Sequence, residues 1–474
     1  VSHPTPELEP SAAEMRRLVE SALARVLAHL ESLPRQPAAD VEGAAELARS
    51  LAAPLPENGQ PFEQLLDLLF ERAVPKTFNT AGPGYLAYIP GGGLFHTAVA
   101  DFLADAVNRY VGVWQAAPAL SQLEANVVRW FADLVSYPPG ARGLLTSGGS
   151  LANFTALVTA RRERLPDDFL RGVLYASDQT HHSVQKAAML AGFPPRNVRE
   201  VRSDARFRLD LEALRAAVAA DRAAGLTPFL VVGNAGTTNT GAVDDLAGLA
   251  DLAAAERLWL HVDAAYGGFF LLTERGHRAL RGIERADSVT LDPHKGLFLP
   301  YGTGALVVRD GGALGRAQGL HADYLPARPP DPEFVDFSEI SPELSRPFRG
   351  LRVWLPVSLL GIAPFRRALD EKLDLAAWAA AELRQIEGLE VVAEPQLSLL
   401  AFRVGRPGLD GPALDALNRR FLDRINAPRR VYLTGTMAHG RFLVRICVLS
   451  FRTHRDRMEA ALEDVRAAAA ELRA

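Results

Sequence analysis

Apolar positions near the start of the chain recur every three to four residues. Over Ser11–Leu33, Met15, Leu18, Val19, Leu23, Val26 and Leu30 fall on one helical face, and beyond a proline-containing break at Pro34–Asp40 a second stretch of the same period covers Phe62–Ala73. Two or three such helices cannot close a core by themselves. This N-terminal helical segment, residues 1–80, is expected to pack on the rest of the chain or on a second copy of it. From Gly143 the pattern changes to short apolar runs separated by amphipathic helices. The runs are Gly143–Thr146, Gly172–Ala176, Phe229–Gly233, Leu258–Val262, Ser288–Leu291 and Ala305–Val308. They predict crossover units and an α/β fold with a mostly parallel sheet covered by helices on both faces.

A proline-rich stretch, Pro326–Pro332, reads as an exposed loop. Beyond it, a long helix over Arg366–Glu387, strands within Leu389–Val404, Arg430–Leu433 and Arg441–Val448, and a closing helix over Arg455–Leu472 predict a smaller α+β domain at 366–474. The large domain then covers 81–365.

With 474 residues, 48% apolar and 23% charged, the composition is that of a globular protein with room for more than one core. The balance of 52 basic against 56 acidic residues leaves no electrostatic footprint for nucleic acid or an anionic membrane. The longest apolar run, Val353 to Phe365, is interrupted by Pro356 and Pro364 and is too short to span a bilayer. No secretory pattern is read, and the single cysteine, Cys447, excludes an intrachain disulfide and fits a reducing compartment. A cytoplasmic location is the expectation. Only four of the 52 basic residues are lysines (Lys76, Lys186, Lys295 and Lys372), so amine nucleophiles are few.

In a parallel sheet the ligand crevice lies beyond the carboxyl ends of the strands, and four of the predicted strands end in polar clusters. Thr146-Ser147-Gly148-Gly149-Ser150 leads into a helix, a turn whose backbone N–H groups suit a phosphate. Ser177–Ser183 carries His181 and His182. Adjacent histidines on a turn point apart and no third ligand follows at metal spacing, so no metal is expected, and one of them reads as a planar or acid–base partner. Asp263 ends the run Leu258–Val262 and is followed by Ala264-Ala265. Lys295, in Asp292-Pro293-His294-Lys295-Gly296, sits at a strand end where a lysine is disfavoured unless paired or used as a nucleophile. The other lysines occupy less telling places, Lys372 on a charged helix among them. A phosphate cradle, a carboxylate for a pyridinium nitrogen and a lysine for an aldehyde together suit pyridoxal 5'-phosphate (PLP).

Ser177–Lys186, Gly236–Asp244, His261–Tyr266 and Ala286–Lys295 resemble the group II PLP-dependent decarboxylases, which include the aromatic-amino-acid and glutamate decarboxylases. The resemblance implies a fold-type-I architecture with a seven-stranded sheet, and a homodimer with active sites at the interface around which the N-terminal helices wrap. It implies decarboxylation of an L-amino acid to the amine and CO₂. By position, Lys295 matches the Schiff-base lysine, Asp263 the partner of the pyridinium nitrogen, and His181 the histidine stacked on the ring. Gly149, Ser150 and His294 match phosphate-binding positions, with Asp292 where many relatives have Asn. Thr238 matches a cofactor-contacting threonine and Ala265 the small residue beneath the ring. Tyr88, Ile89, Pro90 and Trp114 match the substrate pocket, and Arg445 an arginine that reaches the substrate carboxylate.

The chain also departs from the family. Counting back without gaps from Phe348–Trp354 puts Phe337 where a loop tyrosine usually returns the proton, and a phenyl ring has none to give. In relatives with phenylalanine there, O₂ can divert the reaction to aldehyde, ammonia and peroxide. Tyr324, Glu339 or water held by His181 are the other proton sources, and a non-catalytic PLP-binding relative is the remaining alternative. Ile89 replaces an aromatic residue and Gly91 a hydroxyl residue. Thr80 and Gly112 stand where large aromatics are usual.

Overall fold

A computed structural model of the chain describes residues 8–320, 331 and 333–473. Its main sheet has seven strands, β1 Arg142–Thr146, β2 Gly172–Ser177, β3 Val198–Val201, β4 Thr227–Asn234, β5 Trp259–Ala264, β6 Ser288–Leu291 and β7 Gly304–Val308, in the spatial order β1-β7-β6-β5-β4-β2-β3. The strands from β3 to β6 are parallel, whereas β7 runs antiparallel to both β6 and β1. Side chains of β4 alternate between two apolar layers. Val231 joins the layer of Leu260 and Val289, while Leu230 and Val232 join that of Leu174, Leu306 and the helix Gly149–Arg164. Burial on both faces explains why these strands read as continuous apolar runs.

β3 was not predicted. Its sequence, Val198-Arg199-Glu200-Val201, lies at the sheet edge and is only partly buried, so nothing requires an apolar run there.

The C-terminal sheet is antiparallel, ordered β10-β11-β9-β8, with β8 Leu389–Ala393, β9 Leu399–Val404, β10 Thr434–Ala438 and β11 Arg441–Cys447. The stretch Leu389–Val404 is thus two strands. The strand expected at Arg430–Leu433 starts later, at Thr434, and Tyr432 makes only an isolated bridge to Tyr85. The helix Ala363–Arg384 serves both cores. Phe365, Leu369 and Leu373 pack under the main sheet, and Ala376, Ala379 and Leu383 under the second. Lys372, expected on a charged surface, is wholly buried on this helix. Its Nζ donates to the Thr453 carbonyl at 2.5 Å and pairs with Glu371 at 2.8 Å.

The first helix, Ala12–Ser32, is capped by Ser11, whose hydroxyl accepts from the Glu14 N–H. It buries no residue within the chain, and Met15, Val19, Leu23 and Leu27 stay exposed. Among the described residues no helix is long and apolar enough to cross a membrane.

Candidate active site

The turn after β1 and the carboxyl ends of β2, β4, β5 and β6 enclose one cavity of about 400 Å³. Gly149, Ser150, His181, Thr238, Asp263, Ala265, Asp292, His294 and Lys295 all line it. Parallel strands that stop in register bring together groups that are far apart in sequence.

The helix Gly149–Arg164 aims its N-terminus at the cavity, leaving first-turn N–H groups available to an anion. A Cβ at Gly149 would stand 3.1 Å from the Asp292 carboxylate and 3.3 Å from the Ala265 methyl, so glycine keeps the cradle open. Lys295 Nζ lies 3.0 Å from Asp292 Oδ2, while the other Asp292 oxygen is buried without a partner. The Asp263 carboxylate accepts from the Ala265 N–H at 3.1 Å and from Asn153 Nδ2 at 2.9 Å, and the two donors fix its orientation.

Two histidines face the cavity in defined tautomers. His294 donates from Nδ1 to the Thr303 carbonyl at 2.7 Å, so its other nitrogen is the one left for a ligand. His181 Nδ1 accepts from the Ser183 N–H at 3.3 Å, which leaves the proton on Nε2. Burial holds both imidazoles below the usual histidine pKa. His182 is exposed and lines only a neighbouring cavity.

The expected substrate residues divide. Tyr88 and Arg445 line an adjoining cavity that shares His181 and Thr238 with the first. The Arg445 guanidinium is buried and donates to the carbonyls of Tyr88 and Thr238 at 3.0 and 2.6 Å. Ile89 and Pro90 do not line either cavity. Tyr88, at φ +48°, is half exposed, and Ile89 packs into the main core. Trp114 stacks on Phe334 with ring centroids 4.6 Å apart instead of facing the cavity. Gly91, read as a lost hydroxyl residue, has a steric cause, since any Cβ there would collide with the His294 carbonyl.

Phe337 lies apart from the cavity in this subunit. It is fully buried in the short helix Phe337–Ile340, packed in the layer of Leu144 and Leu314, with the Arg346 guanidinium 4.9 Å from its ring centroid. Glu339 borders a different groove, beside Arg142 and Asp331. Tyr324 lies outside the described residues.

Sequence reading assigned no role to Asn153 or Ser183, although both line the cavity. Their signal was weak, because a polar residue near a helix start resembles any cap. Among the described residues, no group of three or more His, Cys, Asp or Glu side chains could hold a metal ion. Cys447 is buried in β11, where desolvation pushes its thiol up to about 12, which argues against a nucleophilic role.

An anion cradle, a carboxylate held by two donors and a lysine on one floor make this a PLP-binding α/β enzyme, and the residues present fit that cofactor. A family model, the pyridoxal-dependent decarboxylase conserved domain, matches residues 45–405, and the chain belongs to that family. The aromatic-L-amino-acid decarboxylase of Bacillus atrophaeus is 35% identical over 467 residues, which is 98% of this chain and 97% of that protein. Among solved structures, Oryza sativa TDC with PLP and tryptamine superposes with a TM-score of 0.92 at 28% identity, covering 99% of this chain and 100% of that one. Rhodiola rosea 4-hydroxyphenylacetaldehyde synthase gives 0.89 at 25% identity, covering 97% and 99%. The protein is a PLP-dependent amino acid decarboxylase, a carboxy-lyase.

Proposed function

We propose that this decarboxylase converts an aromatic L-amino acid to the corresponding amine and CO₂, acts as a homodimer in the cytoplasm, and uses Lys295, Asp263 and His181 as its central groups. The convergence of Lys295, Asp263 and the Gly149 helix start on one cavity carries this reading. The aromatic preference draws on a second cavity of about 210 Å³ that shares His294 with the first. Its other lining residues, among them Thr80, Gly91, Leu299, Pro300 and Tyr301, include no charged side chain. Such a space favours a flat apolar group over an acidic one. The Bacillus relative named for aromatic amino acids and the neighbour solved with tryptamine point the same way.

PLP, when bound, supplies an aldehyde that captures the substrate amine and a ring that accepts the electron pair released as CO₂ departs. The chain does the rest. Lys295 holds the cofactor between turnovers and releases the product amine. Asp263, oriented by its two donors, would pair with the ring nitrogen. Gly149, Ser150 and His294 would take the phosphate, and Thr238, Ala265 and His181 would hold the ring. Asp292 pairs with Lys295, since a carboxylate has no proton to give a phosphate. Arg445 steers the substrate carboxylate. Burial of Phe337 in the core of its own subunit supports the amine over the aldehyde as product.

The test is incubation with a panel of twenty or more amino acids, reading CO₂, amine, aldehyde and peroxide together. One-to-one CO₂ and amine from an aromatic substrate supports the reading; aldehyde with peroxide, or turnover of glutamate alone, overturns it. The homodimer rests on the uncovered stripe of Ala12–Ser32. Sedimentation should give twice 51.3 kDa, and a monomer would refute it.

A further inference from the structure

Behind Asp263 lies a chain of buried polar groups whose hydrogen-bond directions are all determined. Asp263, as a carboxylate, only accepts, so the Asn153 amide must turn Nδ2 toward it, at 2.9 Å. The second Nδ2 proton goes to Ser183 Oγ, also at 2.9 Å, and Ser183 Oγ lies 2.9 Å from His181 Nδ1. Asn153 Oδ1 therefore faces the other way and accepts from Thr290 Oγ1 at 2.8 Å and from His261 Nε2 at 3.1 Å. His261 must then carry its proton on Nε2, which makes Nδ1 the acceptor for the Ser288 hydroxyl at 2.8 Å. Ser288 in turn accepts from Trp259 Nε1 at 2.8 Å. All four hydrogen-bonding capacities of Asn153 are filled, and Asn153, His261, Ser288 and Thr290 are all buried. Burial drives His261 down to about 4, consistent with the neutral tautomer that the geometry demands.

We propose that Asn153 is a positioning residue that couples the two polar walls of the cofactor cavity, with His261 and Ser288 as its orienting relay. One end of its amide holds the Asp263 carboxylate aimed into the cavity; through Ser183 the same amide fixes the His181 imidazole. The relay Trp259–Ser288–His261 prevents the amide from flipping, because the flipped form would set Oδ1 against a carboxylate and Nδ2 against the N–H of His261. The inference rests on the PLP reading of the cavity. The titratable groups around Asp263 are His261 on its own strand, His181 after β2, and Asp292, His294 and Lys295 after β6.

The test measures PLP affinity by titrating apoprotein, the acid limb of the pH profile of that affinity, and the apoprotein melting temperature. Asn153→Leu keeps the bulk and removes the amide. It should weaken PLP binding about tenfold or more, as expected for losing a bond to a charged group. It should also change the acid limb of that affinity profile, because the Asp263 carboxylate loses its Asn153 donor. His261→Gln, which can still donate to Asn153 Oδ1, should keep most of the affinity, whereas His261→Leu should follow Asn153→Leu. A role in filling space alone would leave Gln and Leu alike at position 261, and that result overturns the relay. So does wild-type affinity with an unmoved acid limb in both leucine variants. Should Asn153→Leu not fold, Ser288→Ala probes the chain beyond His261; a smaller loss of PLP affinity supports the proposal and no loss refutes it. Wild-type protein that takes up no PLP would instead defeat the cofactor reading, an outcome separate from the failure of the relay.

Discussion

Lys295 and Asp292 stand three residues apart across the turn that ends β6, with Nζ 3.0 Å from Oδ2. The pair accounts for a lysine at a strand end: the carboxylate offsets the cost of partly burying the ammonium, and the same turn brings the amine to the cavity. Lys295→Arg keeps a cation beside Asp292, but a guanidinium stays protonated and cannot join an aldehyde. The apoprotein of this variant should melt within about 2 °C of wild type, while turnover drops by on the order of 10³ or more. Absorption spectra after PLP addition check the cause, since the band of covalently held cofactor should be absent. If band and turnover both survive, Lys295 is not the attachment site.

Acid sensitivity follows from His261. Above pH 6.5 its ring is neutral in folded and unfolded chains alike and contributes no pH dependence. Burial holds the folded value at about 4. Between those limits the unfolded chain takes up a proton that the native one refuses, so stability falls as pH drops from 6.5 to 4, by up to about 3 kcal/mol from this residue. His181 and His294, also held low, act in the same direction. Urea denaturation of the apoprotein at pH 7, 5.5 and 4.5 should show a shallower decline for His261→Gln than for wild type. Identical slopes would count against a buried neutral imidazole.

Arg346 and Glu124 form an ion pair of 2.5 Å with both side chains wholly buried. Glu124 also accepts from the Gly350 N–H at 2.9 Å, and Arg346 donates to the Leu145 carbonyl at 2.9 Å. Arg346→Leu strands the carboxylate and should cost about 3–5 kcal/mol. Adding Glu124→Gln, which keeps an acceptor for Gly350 but removes the charge, should return part of that loss. Chemical denaturation of the single and double variants measures it, and additive losses would mean that the two residues are not coupled.

The strands β2, β4, β5 and β6 were legible because burial on both faces forces apolar runs, and the chemistry at their carboxyl ends was legible because polar residues interrupt those runs abruptly. The edge strand β3 was not, since Arg199 and Glu200 need no burial. Nor was the Asn153 network. Positions 153, 183, 261, 288 and 290 meet only after four crossovers bring them together, and no local period marks them. Nor were the surroundings of Ile89 and Trp114 within the subunit, since packing of Ile89 into the main core and stacking of Trp114 on Phe334 involve residues far away in sequence.

Phe337 and Tyr324 provide the sharpest separation between loop register and chemistry. Phe337 packs against Leu144 and Leu314 beneath Arg346, so Phe337→Tyr would bury a hydroxyl among apolar neighbours at a cost of about 1–3 kcal/mol. It should lower the melting temperature and leave the product unchanged. Tyr324, thirteen positions before Phe337 in the sequence, carries a phenol that can return a proton to carbon. Tyr324→Phe should therefore move the product from amine toward aldehyde, with ammonia and peroxide formed and O₂ consumed. An oxygen electrode and product chromatography read both variants side by side. A product change with Phe337→Tyr and none with Tyr324→Phe would support the gap-free register and, with it, the oxidative reading.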